Sequence, residues 1–287
     1  MTFFIINMTV KETINQFLKN PARISKNIIW RFPKSKSHQR HIFVFGAPRT
    51  GTTLMKLILG THPNLTGPGY ETGIFMYKEL FSLPFSELTQ SEIEDIQKQS
   101  QDIVDYFDRL AECTLKKIGG TRFIEKTPPH VLRIDFLAKY FPNAQFINMY
   151  RDGRDCYCSA RNHVNVVQGK TIERYARYWK KCVDARLRSG NLPNILDIKY
   201  EDLTLYPETV VKQTMNFLQE DYYPSQVDST QYSKNTITNS KRQEFSQLSK
   251  PINSSRINRY KQELTSEQIN KFNQIAGNQL KQIGYDV

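Results

Sequence analysis

The chain has 287 residues, which is enough for one α/β domain with a full core or for two small domains. Its formal net charge of +12 suits contact with a polyanionic ligand such as a doubly phosphorylated nucleotide. No apolar run is long enough to span a bilayer, no nucleic-acid-binding motif is present, and the four cysteines lack metal-ligand spacing. Since no linker or internal repeat divides the chain, we expect one domain, with no nucleic-acid partner, no transmembrane segment and no metal.

Residues 1–40 precede the first clear strand signal and are interpreted as an N-terminal arm that packs on a single domain of residues 41–287. The stretch from Met1 to Val10 is apolar, but it lacks the basic lead-in and the small-residue cleavage site of a secretion signal. Cysteines without a pairing pattern are typical of free thiols in a reducing compartment. We therefore expect a cytoplasmic protein.

The domain opens with a predicted strand, loop and helix. The apolar run from Ile42 to Phe45 predicts a buried strand, Gly46 predicts a turn, and residues 54–61 show an amphipathic helical pattern. The first backbone N–H groups of a helix lack intrahelical partners and carry partial positive charge. An anion is therefore expected in front of this helix.

The loop between that strand and helix has the glycine spacing of a phosphate-binding loop. Gly46 and Gly51 are separated by four residues, as in nucleotide-binding loops. The lysine that should follow is replaced by Thr52, and the cation comes earlier, at Arg49. This pattern favours phosphate binding but argues against the metal-bound triphosphate of a kinase.

The rest of the chain alternates β-prone runs with helical patterns. Strands are predicted over 122–126, 145–150 and 194–200, and helices over 130–140, from about 155, over 171–188, 207–218 and 266–283. One or two helices are expected between 71 and 119, and a loop or a lid between 220 and 258. This order predicts an α/β fold with a parallel sheet flanked by helices on both faces, whose ligands bind at the carboxyl ends of the strands.

A second candidate anion site follows the strand predicted over 145–150. Arg151 stands at the tip of the strand, and Ser159 lies about two helical turns further on. A guanidinium fork and a hydroxyl suit a phosphate monoester. Asp155 is interpreted as a helix cap or as a partner of Arg154, and Arg154 as a solvated surface residue.

These motifs together resemble those of a known enzyme family. Gly-Ala-Pro-Arg-Thr-Gly-Thr-Thr-Leu-Met at positions 46–55 resembles the 5′-phosphosulfate loop of sulfotransferases, and the residues from Arg151 to Ser159 resemble their 3′-phosphate motif. The resemblance runs from about His41 to the C-terminus and looks closest to the branch with protein-tyrosine sulfotransferases and bacterial enzymes. It implies a P-loop-like sulfotransferase fold and the donor 3′-phosphoadenosine 5′-phosphosulfate (PAPS), with 3′,5′-adenosine bisphosphate (PAP) as product.

The resemblance also implies a set of donor-binding residues. They are Arg49, Thr50, Gly51, Thr52, Thr53, Arg151, Ser159, Tyr200 and Arg259, with Arg256 as the second choice for the last position. Ordinary packing is the alternative for Tyr200, and solvation is the alternative for Arg259.

Candidate catalytic residues follow from the same resemblance. Lys126 would assist the transition state, with a salt bridge to Glu125 or another carboxylate as the alternative. Glu71 matches the general base of the tyrosine-sulfating branch after a one-residue gap. His130 is the second candidate base, and His163 is the third, although His163 could equally serve the nucleotide.

The functional hypothesis is transfer of the sulfuryl group from PAPS to a hydroxyl or amine of a small-molecule acceptor, which is preferred over peptide tyrosine or a saccharide. One alternative is a kinase that uses Mg-ATP, against which the missing lysine argues. Another is a nucleotide-binding module without catalytic activity. The acceptor pocket is expected from residues 74–120 and 220–250, where the resemblance is weakest.

Overall fold

A computed structural model of the protein describes residues 25–26, 28–76, 87–232 and 251–287. The described residues contain a parallel sheet with the strand order β2-β3-β1-β4-β5. The strands are β1 (Ile42–Gly46), β2 (Leu65–Thr66), β3 (Arg122–Lys126), β4 (Gln145–Tyr150) and β5 (Ile195–Lys199). Because all strands run in one direction, their carboxyl ends lie along the same edge of the sheet.

The strands are connected by helices, as expected of a parallel sheet. The helices are α1 (Thr52–Gly60), α2 (Gln90–Gln99), α3 (Ile103–Ile118), α4 (Ile134–Tyr140), α5 (Gly153–Ala160), α6 (Ile172–Arg188), α7 (Tyr200–Leu205), α8 (Pro207–Leu218), α9 (Tyr260–Glu263) and α10 (Ser266–Gln282). Short 3₁₀ helices occupy Pro128–Arg133, Val167–Lys170, Pro224–Val227 and Ser229–Gln231.

Apolar side chains on both faces of the sheet form two cores. On β1, Phe43 and Phe45 face a core shared with α3, α6 and α10, whereas Ile42 and Val44 face a second core shared with α1 and α8. These four side chains are at most 1% exposed. Full burial of one such side chain contributes about 1.5–3 kcal/mol, so the central strand is a fixed platform for the loop that follows it.

The predicted α/β fold is confirmed, and several element bounds agree with the prediction. β3, β4 and α8 have the predicted bounds. The helix predicted over 130–140 instead begins as the 3₁₀ helix Pro128–Arg133 and becomes α-helical at Ile134. Adjacent prolines lack N–H donors, which suits an irregular first turn. Neither β2 nor α7 was predicted.

The described part of the N-terminal arm packs against α3. The Trp30 and Tyr106 rings lie 5.4 Å apart, and the backbone N–H groups of Lys34 and Ser35 donate to the side chain of Asp102 at 3.0 and 2.9 Å. Asp102 is also the N-cap of α3. These contacts hold the described part of the arm against α3, and residues 1–24 and 27 lie outside the described residues.

Two other predicted segments are described only in part. The segment between 71 and 119 contains two helices, α2 and α3, as expected, and residues 77–86 lie outside the description. The stretch 233–250, which includes most of the predicted lid, also lies outside it. None of the helices in the described ranges is long and apolar enough to cross a membrane.

Candidate active site

The loop of residues 46–51 depends on glycine at both ends. Gly46 and Gly51 have φ angles of +152° and +98°, where side chains are disfavoured. A Cβ atom at Gly46 would lie 2.4 Å from the carbonyl oxygen of Met149, and one at Gly51 would lie 2.6 Å from the ring of Tyr200. The loop can therefore pack between β4 and Tyr200 only with glycine at these positions.

The N-terminus of α1 offers backbone donors to an anion. Its N-cap is Gly51, and the described residues supply neither a capping side chain nor an acidic residue in the first turn. Thr52, at the first helical position, is 3% exposed, while the Thr50 hydroxyl donates to the Ala47 carbonyl at 2.8 Å inside the loop. The orphan N–H groups and the helix dipole thus point at the expected phosphate position.

Arg49 connects the loop to the second anion motif. Its Nε donates to the Ser159 hydroxyl at 3.0 Å, and its carbonyl accepts from Arg151 Nη1 at 3.3 Å and from the Cys156 thiol at 3.7 Å. Arg49 has a φ angle of +75°, which is uncommon for a residue with a side chain. These contacts stabilise that conformation, and they join the two predicted phosphate motifs into one site.

Arg151 is buried where the two predicted phosphate motifs meet. It is 3% exposed, its guanidinium lies 4.1 Å from the centre of the Tyr200 ring, and Nη2 donates to the Arg256 carbonyl at 2.8 Å. Its Nε is buried and has no hydrogen-bond partner in the described part of the chain. A buried donor without a partner is costly, so a ligand that reaches this group would be bound favourably.

Asp155 anchors the C-terminal segment over this site. The sequence-based interpretations of Asp155, as a helix cap or as a partner of Arg154, did not anticipate this role. Its carboxylate accepts from the backbone N–H groups of Asn258 at 2.8 Å and Tyr260 at 2.9 Å. Asp152, rather than Asp155, caps α5 and pairs with Arg154. Burial raises the pKa of Asp155 to about 6.

The expectation that Arg154 is solvated is wrong. Arg154 is 3% exposed and forms a salt bridge with Asp152, with a distance of 2.7 Å between Nη2 and Oδ2. Its guanidinium lies 4.1 Å from the centre of the Tyr260 ring and donates to the carbonyl of Asp286 at 2.6 Å. The sequence around Arg154 contains Asp152 but could not reveal Tyr260 and Asp286, because these two partners come from the C-terminal segment.

The two arginines predicted to close over the nucleotide lie in different surroundings. Arg259 Nε pairs with Glu263 at 2.6 Å, and Glu263 also pairs with Arg161 at 2.9 Å. Arg256 lies nearer to Arg151, because its carbonyl accepts from that residue, and burial together with the neighbouring arginines lowers its pKa. The assignment of either arginine to the nucleotide stays a prediction.

The predicted catalytic residues Lys126 and Glu71 are in direct contact. Lys126 Nζ lies 2.6 Å from Glu71 Oε1 and 3.3 Å from the Thr53 hydroxyl on α1. The Lys126 side chain is 6% exposed and that of Glu71 is 43% exposed. Sequence analysis gave a salt bridge to a carboxylate as the alternative role of Lys126. Lys126 does form such a salt bridge, and the carboxylate is that of Glu71, the first candidate base.

The two histidines lie elsewhere. His130 is 1% exposed, its ring centre is 5.3 Å from that of Phe75, and its Nδ1 is 3.7 Å from Glu125 Oε1. Burial lowers the pKa of His130 to about 3, so the imidazole is a weak base. His163 follows α5, and its Nδ1 accepts from the backbone N–H of Asn165 at 3.2 Å. Glu71 contacts Lys126, and its choice as the base over His130 and His163 stays a prediction.

Two residues that support the site escaped prediction. The Tyr175 hydroxyl, on α6, donates to the carbonyl of Pro48 in the loop of residues 46–51. Lys56, on α1, donates to the carbonyl of Pro68, three residues before Glu71. Lys56 could have been identified from the sequence, because a lysine between apolar neighbours on a helix that packs on the sheet is unusual. Tyr175 could not, because a tyrosine on the buried face of a helix is common.

Neither disulfides nor a metal centre contribute to this site in the described part of the chain. All four cysteines are unbridged, and the described residues contain no cluster of histidine, cysteine and carboxylate side chains suited to a metal ion. The cationic groups that the described residues place at this site are arginine and lysine side chains and the N-terminus of α1.

A sequence model of the sulfotransferase family matches residues 41–224, and the chain belongs to this family. It is 24% identical to the protein-tyrosine sulfotransferase of Drosophila melanogaster over 294 residues, which cover 96% of this chain and 58% of that protein. It is 28% identical to protein-tyrosine sulfotransferase 1 of Danio rerio over 188 residues, covering 62% of this chain and 52% of that protein. The chain thus spans a little over half the length of these relatives.

Solved structures show the same fold. The sulfotransferase domain of the olefin synthase from Synechococcus PCC 7002 has a TM-score of 0.64 at 20% identity, covering 90% of this chain and 99% of that domain. A mouse sulfotransferase in complex with PAP has a TM-score of 0.53 at 15% identity, covering 90% of this chain and 91% of that one. These likenesses confirm the predicted sulfotransferase fold.

Proposed function

We propose that the protein transfers the sulfuryl group of PAPS to a hydroxyl acceptor. The observation that carries this proposal is the contact of Lys126 with both Glu71 and Thr53. This contact brings together a cation, a carboxylate and a hydroxyl of α1, the helix that follows the loop of residues 46–51. Membership of the sulfotransferase family and the PAP complex of a relative with the same fold support this donor.

The residues present fit a nucleotide with phosphate at both its 5′ and 3′ positions. The open N-terminus of α1 and Arg49 suit the 5′-phosphosulfate, while Arg151 and Ser159 suit the 3′-phosphate. The buried Nε of Arg151 has no hydrogen-bond partner among the described residues, and a phosphate oxygen would best satisfy it. Tyr200 fixes the plane of that guanidinium by lying against it at 4.1 Å.

In this proposal the two catalytic side chains divide the work. PAPS supplies an activated sulfuryl group, and its transfer runs in line from the leaving phosphate oxygen to the acceptor oxygen. Glu71 accepts the proton of the acceptor hydroxyl, a step that contributes about 10²–10⁴-fold in rate. Lys126, held at 6% exposure, offsets negative charge that grows on the leaving oxygen, where low solvent access strengthens its effect.

A phenolic hydroxyl is the acceptor group that we propose first. The two relatives compared above are named protein-tyrosine sulfotransferases, and the 43% exposure of Glu71 leaves room for an acceptor to approach from solvent. The sequence-based preference for a small molecule over peptide tyrosine stays a prediction, as do a cytoplasmic location and the alternatives of amine or saccharide acceptors.

The test is a transfer assay with sulfur-labelled PAPS and a panel of small phenols, a tyrosyl peptide, an amine and a saccharide. The proposal predicts labelled phenol product and equimolar PAP without added Mg²⁺. PAP binding without transfer to any acceptor would favour a non-catalytic nucleotide-binding module, and phosphate transfer from Mg-ATP would favour a kinase. Either result would contradict the proposal.

A further inference from the structure

A buried lysine lies beneath the proposed catalytic pair. Lys56 is 5% exposed and stands on α1 between Met55 and Leu57, which are at most 2% exposed. Burying a cation costs several kcal/mol unless its partners compensate. A protein with a well-packed apolar residue at such a position is often equally stable. Stability alone therefore gives little reason for a lysine at this position.

The contacts of Lys56 lead to the loop that carries the candidate base. Its Nζ donates to the carbonyl of Pro68, three residues before Glu71. Burial and the nearby charge of Lys126 lower the pKa of Lys56, and the carboxylates of Glu125, Glu87 and Glu71 act in the opposite direction. The hydrogen bond to Pro68 thus lets Lys56 hold the first part of this loop.

The loop is held at two further points. The backbone N–H of Gly69 donates to Glu87 Oε1 at 3.0 Å, and that of Gly73 donates to the Thr127 hydroxyl at 3.0 Å. Thr127 in turn donates to Glu125 Oε1 at 2.6 Å, and Glu125 is fully buried. Glu71 is therefore flanked on both sides by backbone anchors, which lead to buried Lys56 on one side and, through Thr127, to buried Glu125 on the other.

We propose that Lys56 is a positioning residue that fixes the segment 68–73 and so holds Glu71 against Lys126. This inference rests on the proposed function, because it assigns a role toward the base of that reaction. Lys56 does not touch the reacting atoms in this assignment. Its ammonium group donates to the Pro68 carbonyl, to which an apolar side chain would offer no donor.

A positioning role and a purely structural role of Lys56 predict different effects of its substitution on rate and PAP affinity. Loss of the Pro68 anchor lets Glu71 drift from Lys126, and a misplacement of about 1 Å can cost about 10²-fold in rate. The loop of residues 46–51 and Arg151 keep their own contacts, so PAP affinity should persist. An arginine at position 56 retains a cationic donor and should restore part of the rate.

The experiment compares Lys56→Met, which keeps an unbranched side chain, with Lys56→Arg and with the control Lys212→Met. Lys212 is 54% exposed on α8. We expect Lys56→Met to lower kcat by about 10–100-fold with PAP affinity within about twofold of wild type. Lys56→Arg should recover most of the loss, and Lys212→Met should behave as wild type.

A second readout tests the inference without turnover. Amide hydrogen exchange at Gly69 and Gly73 reports whether the segment 68–73 is held, because both N–H groups are hydrogen-bonded. We expect faster exchange at these amides in Lys56→Met than in wild type or Lys212→Met. Lys56→Gln, which keeps a shorter donor, replaces Lys56→Met if the latter does not fold.

The outcomes separate failure of this inference from failure of the proposed function. Wild-type turnover in Lys56→Met, or equal losses of kcat and PAP affinity, would overturn the positioning role. Unchanged exchange at Gly69 and Gly73 would also overturn it. A wild-type protein that binds PAP but transfers nothing would instead refute the proposed function, and the exchange measurement would still decide whether Lys56 holds the loop.

Discussion

The proposed nucleotide side of this site, around Arg151, and the proposed catalytic side, around Glu71 and Lys126, are built in different ways. On the nucleotide side, Arg151 is 3% exposed, and hydrogen bonds to backbone carbonyls fix it in place. On the catalytic side, Glu71 is 43% exposed and lies in a loop held by three anchors. The nucleotide side is therefore preorganised by packing, whereas the catalytic side depends on a few separable polar contacts.

This difference has a functional consequence. A buried, backbone-held donor site can recognise the same nucleotide irrespective of the acceptor. A more exposed loop can accommodate different acceptors while the sheet below it stays fixed. Substitutions on the nucleotide side should act mainly on PAP affinity, and those on the catalytic side mainly on turnover.

The largest expected effect is that of Glu71→Gln on the catalytic side. Glutamine keeps the shape of the side chain but cannot accept the acceptor proton, so kcat should fall by about 10²–10⁴-fold. PAP affinity, measured by calorimetry, should stay within about threefold of wild type, since the nucleotide contacts are on the other side.

The matched control for this substitution is Glu112→Gln, at a glutamate that is 64% exposed on α3. It should leave kcat unchanged. Full turnover in Glu71→Gln would contradict the assignment of the base and would reopen the case for His130.

Arg151→Ala should give the largest effect on the nucleotide side. Charge-assisted hydrogen bonds contribute about 1.5–3 kcal/mol, so the Kd of PAP should rise by about 10–100-fold. The rate at saturating donor should fall much less. The control is Arg188→Ala, at an exposed arginine near the end of α6, and unaltered PAP affinity in Arg151→Ala would contradict the assignment.

Tyr175→Phe is a milder test of the same side. The substitution removes only the hydroxyl that donates to the Pro48 carbonyl. A neutral hydrogen bond contributes about 0.5–1.5 kcal/mol, so the Kd of PAP should rise by about 2–10-fold. Tyr206→Phe, at a tyrosine that is 62% exposed, is the control, and an equal effect of both substitutions would argue against a specific role for Tyr175.

The last prediction concerns the pH dependence of stability at Asp155 and changes neither PAP affinity nor turnover. Its pKa is raised from 3.8 to about 6 in the folded protein, chiefly by burial. The folded state therefore binds a proton more readily than the unfolded state, and the free energy of unfolding should fall as pH rises from 3.8 to about 6.

Asp155→Asn removes this contribution, so its melting temperature should fall less steeply with pH than that of wild type over the same window. Thermal unfolding of both proteins at several pH values measures the difference between the two slopes. Parallel slopes would show that Asp155 titrates normally and would contradict its buried environment.

The fold was largely predictable because its strands are strong local signals. β3 and β4 are buried along their lengths and flanked by turn residues, so their bounds follow from the sequence. β2 has only two residues and is defined by its pairing with β3, which no local pattern reveals. The start of α7 at Tyr200 also escaped prediction, because the residue was interpreted as the end of a strand.

The site was predictable where single loops form it and unpredictable where distant segments meet. The residues of the 46–51 loop share one continuous motif. The pairing of Lys126 with Glu71, by contrast, joins residues 55 positions apart. The burial of Arg154 and the anchoring role of Asp155 depend on the C-terminal segment, more than 100 residues away.

The central claim is that the site recognises a 3′,5′-bisphosphorylated nucleotide without a metal ion. Calorimetric titration of the wild-type protein with PAP, with and without Mg²⁺, and with Mg-ATP as the comparison, tests this most directly. The account predicts tight binding of PAP that Mg²⁺ does not change and that is weakened in Arg151→Ala. Preferential binding of Mg-ATP would contradict it.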